Sequence, residues 1–269
     1  MLRNLLAKKL NTMPILDNPP LIEAIFELRW GEISPGRFQY HQNEESLFAG
    51  MFSASAKNKG FVVVENIQNN LSLPMTISHR FRKQQDTWPC FQVGLGIFTI
   101  NQTKEQYSWD SFKKSIEIGL EVFNNTNSSL IDSIKDTLSV SLRYQDAFFP
   151  DEAEVIEQFL EKHFNINFGL PSSFLDNSNL NGEHHSVSFN VEVGLEKPKG
   201  IVKITIAKAI INDKPGLIME TVVHSKAKEV INNDIKHTDL MEWAEQAHNI
   251  QQHAFKTIIN PTAYKECKV

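Results

Sequence analysis

Charged side chains that alternate along two predicted strands are the residues best placed to form a polar site. The strands cover 21–30 and 75–82, and successive side chains of a strand point to opposite faces. If the strands were neighbours, Glu27 would lie within reach of Arg80 or Arg82. The pattern predicts a salt-bridged sheet surface or, alternatively, a groove that binds a polar ligand. The candidate residues are Glu23, Glu27 and Arg29 in the first strand, and Arg80 and Arg82 in the second.

His248 is a further candidate residue. It lies beside the apolar stripe of a predicted C-terminal helix, between Met241 and Phe255. A histidine in this position is usually buried, with its ring hydrogen-bonded to a neighbouring carbonyl or acid. The alternative is a base in a pocket or a pH-sensitive contact. We favour the structural interpretation and retain His248 as a candidate for ligand or partner binding.

The sequence lacks the common motifs for cofactors, metals and nucleophiles. Gly94-Leu95-Gly96 has neither the third glycine of a dinucleotide-binding loop nor the Gly-Lys-Ser/Thr of a P-loop. There is no HExxH or cysteine cluster for zinc, and no GxSxG around a nucleophilic serine. We therefore expect no cofactor, no metal and no catalytic residue. An enzyme whose catalytic residues are scattered along the chain would leave the same pattern.

The composition is that of an ordinary globular protein. Of the 269 residues, 41% are hydrophobic and 22% are charged, and the net charge is −5. This acidic balance does not favour general attraction to nucleic acid or to anionic membranes. No segment approaches the ~18–20 apolar residues that a membrane-spanning helix needs. Cys90 and Cys267 are too isolated for a disulfide framework, which predicts a reducing, cytoplasmic environment.

The candidate residues are positioned by elements that hydrophobic periodicity predicts. Two glycines within 91–100 suggest a bulge in that strand. A helix is predicted from Trp109 to Phe123, and another at 239–259, because apolar residues recur every three or four positions. Period-2 alternation and turn residues predict strands at 21–30, 61–65, 75–82, 91–100, 138–144, 185–193, 200–206 and 217–223.

Phe148-Phe149-Pro150 is the predicted boundary between two parts of the chain, 1–150 and 151–269. Each part is predicted to contain several strands followed by an amphipathic helix, which suggests two similar halves that pack tightly, or one composite domain. Short links between neighbouring strands favour antiparallel pairing. The predicted fold class is therefore α+β, with an antiparallel sheet packed by amphipathic helices.

The chain resembles a sporadically distributed prokaryotic family of uncharacterised proteins of about this length. The resemblance spans most of the chain, and it adds Arg143 to the candidate binding residues. The segments that carry it are Pro20-Leu21-Ile22-Glu23-Ala24-Ile25-Phe26-Glu27-Leu28-Arg29, Gln92-Val93-Gly94-Leu95-Gly96 with Asn101, Tyr107-Ser108-Trp109-Asp110-Ser111-Phe112, Leu142-Arg143-Tyr144, and the closing helix with Trp243, His248 and Phe255. The patchy distribution of the family implies an accessory system such as phage defence or a toxin–antitoxin pair.

These observations favour a non-catalytic binding or sensor protein that acts with a protein partner, either a neighbouring gene product or a second copy of the chain. A small-molecule ligand is compatible with the same surfaces. The alternatives are an enzyme with a scattered active site and an antitoxin-like regulator. Direct binding of nucleic acid is not expected, because the net charge is acidic and no helix-turn-helix signal is present.

Overall fold

The computed structural model describes residues 20–40, 44–67, 73–105, 107–126, 134–150, 156–166, 172–176, 179, 188–230 and 237–260. The strands are β1 Leu21–Arg29, β2 Glu32–Ser34, β3 Arg37–Phe38, β4 Val63–Asn66, β5 Ile77–Arg82, β6 Cys90–Gly94, β7 Ile97–Thr103, β8 Ser139–Phe148, β9 Ser188–Glu196, β10 Lys199–Ile211 and β11 Lys214–Lys226. The helices are α1 Glu44–Asn58, α2 Trp109–Thr126, α3 Ile156–His163, α4 Ser172–Leu175, α5 Ala227–Val230 and α6 His237–Ile258.

Nine of these strands form one antiparallel sheet in the order β4-β5-β6-β7-β1-β8-β11-β10-β9. Strands β4 to β7 form one meander and β9 to β11 form another, because the short links between them permit only antiparallel neighbours. β1 and β8 pair with each other at the centre and separate the two meanders. The predicted α+β class with an antiparallel sheet is confirmed.

The hydrophobic core lies between one face of this sheet and the three long helices. Along β1, Ala24, Phe26 and Leu28 are fully buried, as the predicted alternation requires. Phe26 packs edge-on against Trp243 of α6, with ring centroids 6.2 Å apart. Phe52 of α1 contacts Phe81, Phe91 and Phe98 on the same face of β5, β6 and β7. Phe123 of α2 stacks on Phe98. All three long helices therefore cover the same side of the sheet.

Two local features differ from the sequence prediction. Helix α1, just before Gly60, is not among the helices located from the sequence, and its buried stripe consists of Phe48, Ala49, Phe52 and Ala56. Leu47 and Met51 are apolar but exposed, so the apolar residues of α1 are not confined to one face and its periodicity is weak. The predicted single strand at 91–100 is a hairpin of β6 and β7, in which the turn at Gly96 has φ +74°. Glycine adopts this left-handed conformation without the steric cost that a side chain would add.

Strands from both predicted parts of the chain lie in this one sheet. β8, which ends at Phe148, pairs with β11 over the register from Ser139–Lys226 to Phe148–Leu217. The predicted boundary at 150 therefore falls just beyond a strand at the centre of the sheet. The division into 1–150 and 151–269 stays a prediction, and Cys267 lies outside the described residues.

Candidate functional site: the polar face of the sheet

The sheet face opposite the helices carries a continuous set of polar and charged side chains. We call it the polar face. On β1, the residues between the buried Ala24, Phe26 and Leu28 point to this side, and pairing register extends the set across the neighbouring strands. Its central residues are Glu65, Arg80, Arg82, Cys90, Gln92, Thr99, Asn101, Glu23, Glu27, Arg29, Ser141, Arg143, Gln145 and Glu220.

At its centre the polar face is a hydrogen-bonded network on β1 and its neighbours. Asn101 donates from Nδ2 to Glu23 Oε1 at 2.7 Å. Arg29 forms an ion pair with Glu27 at 2.7 Å between Nε and Oε1, and Ser141 donates to the same glutamate at 3.4 Å. Each carboxylate therefore has a donor from its own strand or an adjacent one. This arrangement holds the side chains in place within a largely buried part of the face.

A second cluster lies on the outer strands β4 and β5. Glu65 accepts from Arg80 Nη1 at 3.2 Å and from Arg82 Nε at 3.0 Å. Arg82 also donates to the Thr87 carbonyl at 2.6 Å and lies over the Trp88 ring at 4.6 Å. Since one guanidinium satisfies three neighbours, its 5% exposed side chain acts as the anchor of this corner.

A pair between Glu27 and Arg80 or Arg82 was expected only if β1 and β5 were neighbours, and they are not. The sheet order places β6 and β7 between β5 and β1. Three strand spacings separate the two clusters by roughly 14 Å, which no side-chain pair bridges. Arg80 and Arg82 instead pair with Glu65 on the adjacent strand β4, and Glu27 pairs with Arg29 on its own strand. The sequence identified the face but not the partners.

Arg143 and Glu220 form a third cluster, on β8 and β11. Arg143 Nη1 lies 3.1 Å from Glu220 Oε2, and Gln145 Nε2 donates to the same oxygen at 2.9 Å. The Arg143 side chain is 29% exposed and that of Glu220 is 26% exposed. This cluster is therefore partly exposed to solvent.

Six of the seven predicted site residues share the polar face: Glu23, Glu27, Arg29, Arg80, Arg82 and Arg143. Among the central residues, four glutamates face four arginines. Further out, Glu192 lies opposite Lys203 and Glu196 opposite Lys199, while Lys226 adds one more positive charge. The face thus presents alternating charges rather than a field of one sign.

Cys90 also lies on the polar face, but its thiol is not activated as a nucleophile. Its side chain is fully buried on β6, and burial raises the pKa of the thiol to about 11. Gln92 Nε2 lies 3.6 Å from its sulfur. A thiol with so high a pKa carries almost no thiolate near neutral pH, so Cys90 is a structural residue.

His248 lies on the opposite side of the sheet, within what we call the His248 cluster: His248, Tyr144, Tyr107, Trp109 and Gln252. His248 Nδ1 is 2.8 Å from the Tyr144 hydroxyl, which is 2.6 Å from the Tyr107 hydroxyl. The Trp109 ring stacks on the imidazole at 3.9 Å between centroids. The cluster fastens α2 and α6 to β8.

The hydrogen-bond partner of His248 Nε2 determines which ring nitrogen carries the proton. Gln252 Nε2 lies 3.0 Å from His248 Nε2, so the amide donates and the ring accepts there. The ring proton is then on Nδ1 and is donated to Tyr144, which donates in turn to Tyr107. Burial lowers the pKa of His248 to about 4, so the imidazole is neutral at physiological pH. His248 is thus buried and hydrogen-bonded, as the structural interpretation expects, but its partners are a tyrosine hydroxyl and a glutamine amide rather than a carbonyl or an acid.

Asp146 is a buried acid that sequence reasoning missed. It lies on β8 with the parity of Leu142 and Phe148, on the helix-covered side, and is 5% exposed. Burial raises its pKa to about 7. The signal in the sequence was an acid in phase with apolar residues of an alternating strand, which strand periodicity would have placed in the core.

Neither metal ligation nor membrane crossing is indicated in the described part of the chain. Its His, Cys, Asp and Glu side chains form no group of three or more that would hold a metal ion. None of the helices within the described ranges has the length and apolarity to span a bilayer. Comparisons of the chain with protein-family models, with curated proteins and with solved structures returned no match.

Proposed function

We propose that this chain is a non-catalytic binding or sensor protein that recognises a protein partner through the polar face. The observation that carries the proposal is a set of ion pairs held in fixed geometry on the sheet side that the long helices do not cover. Side chains of Arg29, Arg80, Arg143, Glu65 and Glu220 are 25–39% exposed within those pairs. Such partly exposed, preorganised charges suit a partner whose surface alternates in charge.

Charge distribution favours a protein partner over nucleic acid. Binding to a phosphate backbone relies on a patch of unopposed lysine and arginine side chains. On the polar face, Glu27, Glu65 and Glu220 already pair with the arginines. A protein surface with complementary acidic and basic residues can pair with both the glutamates and the arginines, so that no charge is left without a partner on binding.

The resemblance to a sporadically distributed prokaryotic family supports a place for this protein in an accessory system, with phage defence as the setting we propose. In that role the protein is cytoplasmic and senses or recruits its partner without catalysing a reaction. A neighbouring gene product is the first candidate partner, because accessory systems are encoded as small groups of adjacent genes.

We also propose that the two halves of the sheet arose by duplication. β1, α1, the β4–β7 meander and α2 follow one another in the first half, and β8, α3, the β9–β11 meander and α6 in the second. In both halves the last meander strand pairs with the first strand. The antiparallel β1–β8 pair provides an approximate two-fold axis between the halves.

The central residues of the polar face fit this axis. Leu28-Arg29-Trp30 on one side corresponds to Leu142-Arg143-Tyr144 on the other. Glu27 and Ser141 are register partners, and each precedes one of these arginines by two residues. Arg29 and Arg143 therefore flank the Glu27–Ser141 pair from opposite directions, as two related anchor points for a partner.

The test is capture of the partner from the native host followed by reconstitution with purified components. Wild-type protein and the double variant Arg29→Ala/Arg143→Ala are used as baits, with Lys228→Ala as a control at an exposed lysine of α5. We expect a protein that binds wild type and Lys228→Ala, and binds the double variant roughly tenfold or more weakly. Thermal unfolding checks that each bait is folded.

Three outcomes would contradict the proposal. Equal binding by the folded double variant would place the interface elsewhere. A small molecule or nucleic acid that co-purifies, with no protein, would assign the polar face to another ligand class. Turnover of a substrate by the purified protein would make it an enzyme.

A further inference from the structure

A cleft of about 390 Å³ lies at the end of β1, apart from the polar-face ion pairs and from the His248 cluster. It opens between the β2–β3 hairpin, the start of α1 and the turn before β8. The residues that line it are Trp30, Gly31, Ile33, Gln39, Tyr40, Glu44, Ile134, Asp136 and Thr137. Its volume falls within the range of small-ligand sites, roughly 300–1,000 Å³.

Tyr40 is held in this cleft by two glycines. A Cβ at Gly31 would lie within 3.0 Å of the Tyr40 ring, and a Cβ at Gly96 within 3.0 Å of its hydroxyl or ring. Both glycines have positive φ, +91° and +74°, so the local backbone also favours glycine there. Phe38 stacks on the other side, with ring centroids 6.3 Å apart. The Tyr40 ring is therefore fixed before any ligand arrives.

The Tyr40 hydroxyl is buried and has no hydrogen-bond partner in the described part of the chain. A buried hydroxyl without a partner costs free energy, and a ligand that supplies a hydrogen bond would recover it. Burial, and then the charges of Glu44 and Glu32, raise the pKa of Tyr40 to about 12. The phenol is therefore neutral near pH 7, with lone pairs that accept a hydrogen bond.

The charged side chains that line the cleft are both acids. Glu44 is buried and accepts a hydrogen bond from Trp30 Nε1 at 2.7 Å. Asp136 is exposed at the opening, and no lysine or arginine is among the lining residues. Ile33 and Ile134 provide apolar walls. This combination of two carboxylates, a phenol oxygen and an aromatic ring matches a cation that also has hydrogen atoms to donate.

We propose that this cleft binds a small organic ammonium compound. The ammonium group lies between the carboxylates of Asp136 and Glu44 and donates to the Tyr40 oxygen, while its alkyl chain contacts Ile33 and Ile134. The same chemistry is offered by a free amine and by the lysine side chain of another protein. The site is independent of the polar face, and it would give the protein a second, small-molecule input.

The test uses 1,4-diaminobutane as the probe and butane-1,4-diol as its uncharged counterpart. Nα-acetyl-lysine amide, whose side-chain ammonium is free, represents a lysine side chain of another protein. Binding to the full chain is followed by NMR chemical-shift titration. We expect the diamine to bind and the diol not to bind. Asp136→Asn and Tyr40→Phe should each weaken diamine binding by roughly threefold to tenfold, because each removes one of the ligand's partners. Asp176→Asn, at an exposed aspartate beside α4, is the matched control.

Tyr40→Phe retains the ring that packs on Gly31 and Gly96, so it should fold like wild type. Equal binding of diol and diamine, or no diamine binding by wild type, would overturn the proposal. Diamine binding that Asp136→Asn and Tyr40→Phe leave unchanged would overturn it as well. Tighter binding of Nα-acetyl-lysine amide than of the free diamine would support the ammonium site and identify its source as a protein side chain.

Discussion

Replacing Asp146 by asparagine should stabilise the protein, and increasingly so as the pH rises. Asp146 is 5% exposed on the helix-covered face of β8, and burial raises its pKa from 3.8 to about 7. The folded state therefore holds a proton that the unfolded chain has already lost in this pH range. The free energy of unfolding is therefore not reduced by Asp146 below pH 3.8, and it falls as the pH rises from 3.8 toward 7.

The size of the effect follows from the shift. A rise of about three pKa units corresponds to about 4 kcal/mol at most, at about 1.4 kcal/mol per unit, and the loss is complete only above pH 7. Asparagine has nearly the same shape and carries no charge, so Asp146→Asn avoids this loss. The variant should match wild type near pH 4 and exceed it by about 2–4 kcal/mol at pH 8.

Urea unfolding of both proteins at pH 4, 5, 6, 7 and 8 measures this difference. Titration of His248 affects wild type and variant alike, so it cancels when the two free energies of unfolding are subtracted. Asp176→Asn, at an exposed aspartate, should follow wild type at every pH. A difference between Asp146→Asn and wild type that stays constant from pH 4 to 8 would refute the assignment of a raised pKa to Asp146.

Three further substitutions have defined outcomes. His248→Leu should cost about 1–3 kcal/mol at pH 7, since Tyr144 keeps Tyr107 but loses the donor on its other side. It should also flatten the decline in stability that the lowered pKa of His248 causes as the pH falls from 6.5 toward 4, which urea unfolding at both ends of that window measures. Gln251→Leu should cost about 1–3 kcal/mol because its amide donates to the Leu142 and Thr221 carbonyls at 2.8 and 2.9 Å, and an unchanged free energy of unfolding would show that these bonds contribute nothing. Gly96→Ala should lower the melting temperature and alter Tyr40 fluorescence, whereas Gly36→Ala, with open space around its Cβ, should leave the fluorescence unchanged.

Hydrophobic periodicity predicted the strands and helices well where one face of the element is buried and the other is exposed. The alternation of Ala24, Phe26 and Leu28 placed β1 correctly, and the apolar spacing of α2 and α6 gave both helices nearly to their ends. Periodicity could not predict the order of the strands in the sheet. Whether β5 lies beside β1 depends on contacts between segments about fifty residues apart, and alternation within one strand carries no information about them.

The candidate site shows the same division. Period-2 alternation placed Glu23, Glu27 and Arg29 on one face of β1, and Arg80 and Arg82 on one face of β5. Arg143 came from the family resemblance, and the pairing register of the sheet puts all six on the same face. The ion-pair partners depend on strand order and register and could not be derived. Glu65 and Glu220 were missed, and the pair considered between Glu27 and Arg80 or Arg82 required β5 to lie beside β1. His248 was assigned to a helix stripe correctly, yet its link to Tyr144 and Trp109 needs the docking of three separate elements.

Strand β8 connects the two polar environments of the molecule because its residues alternate between them. Arg143 and Gln145 point to the polar face, while Tyr144 and Asp146 point into the helix-covered side. A substitution at Arg143 therefore acts one residue away from the His248 cluster, and a change in partner binding has two explanations unless stability is measured too. Asp146→Asn separates them: it changes the buried side of β8 and leaves the Arg143–Glu220 pair in place. If the polar face is the interface, this variant should gain stability at pH 8 and bind the partner as wild type does.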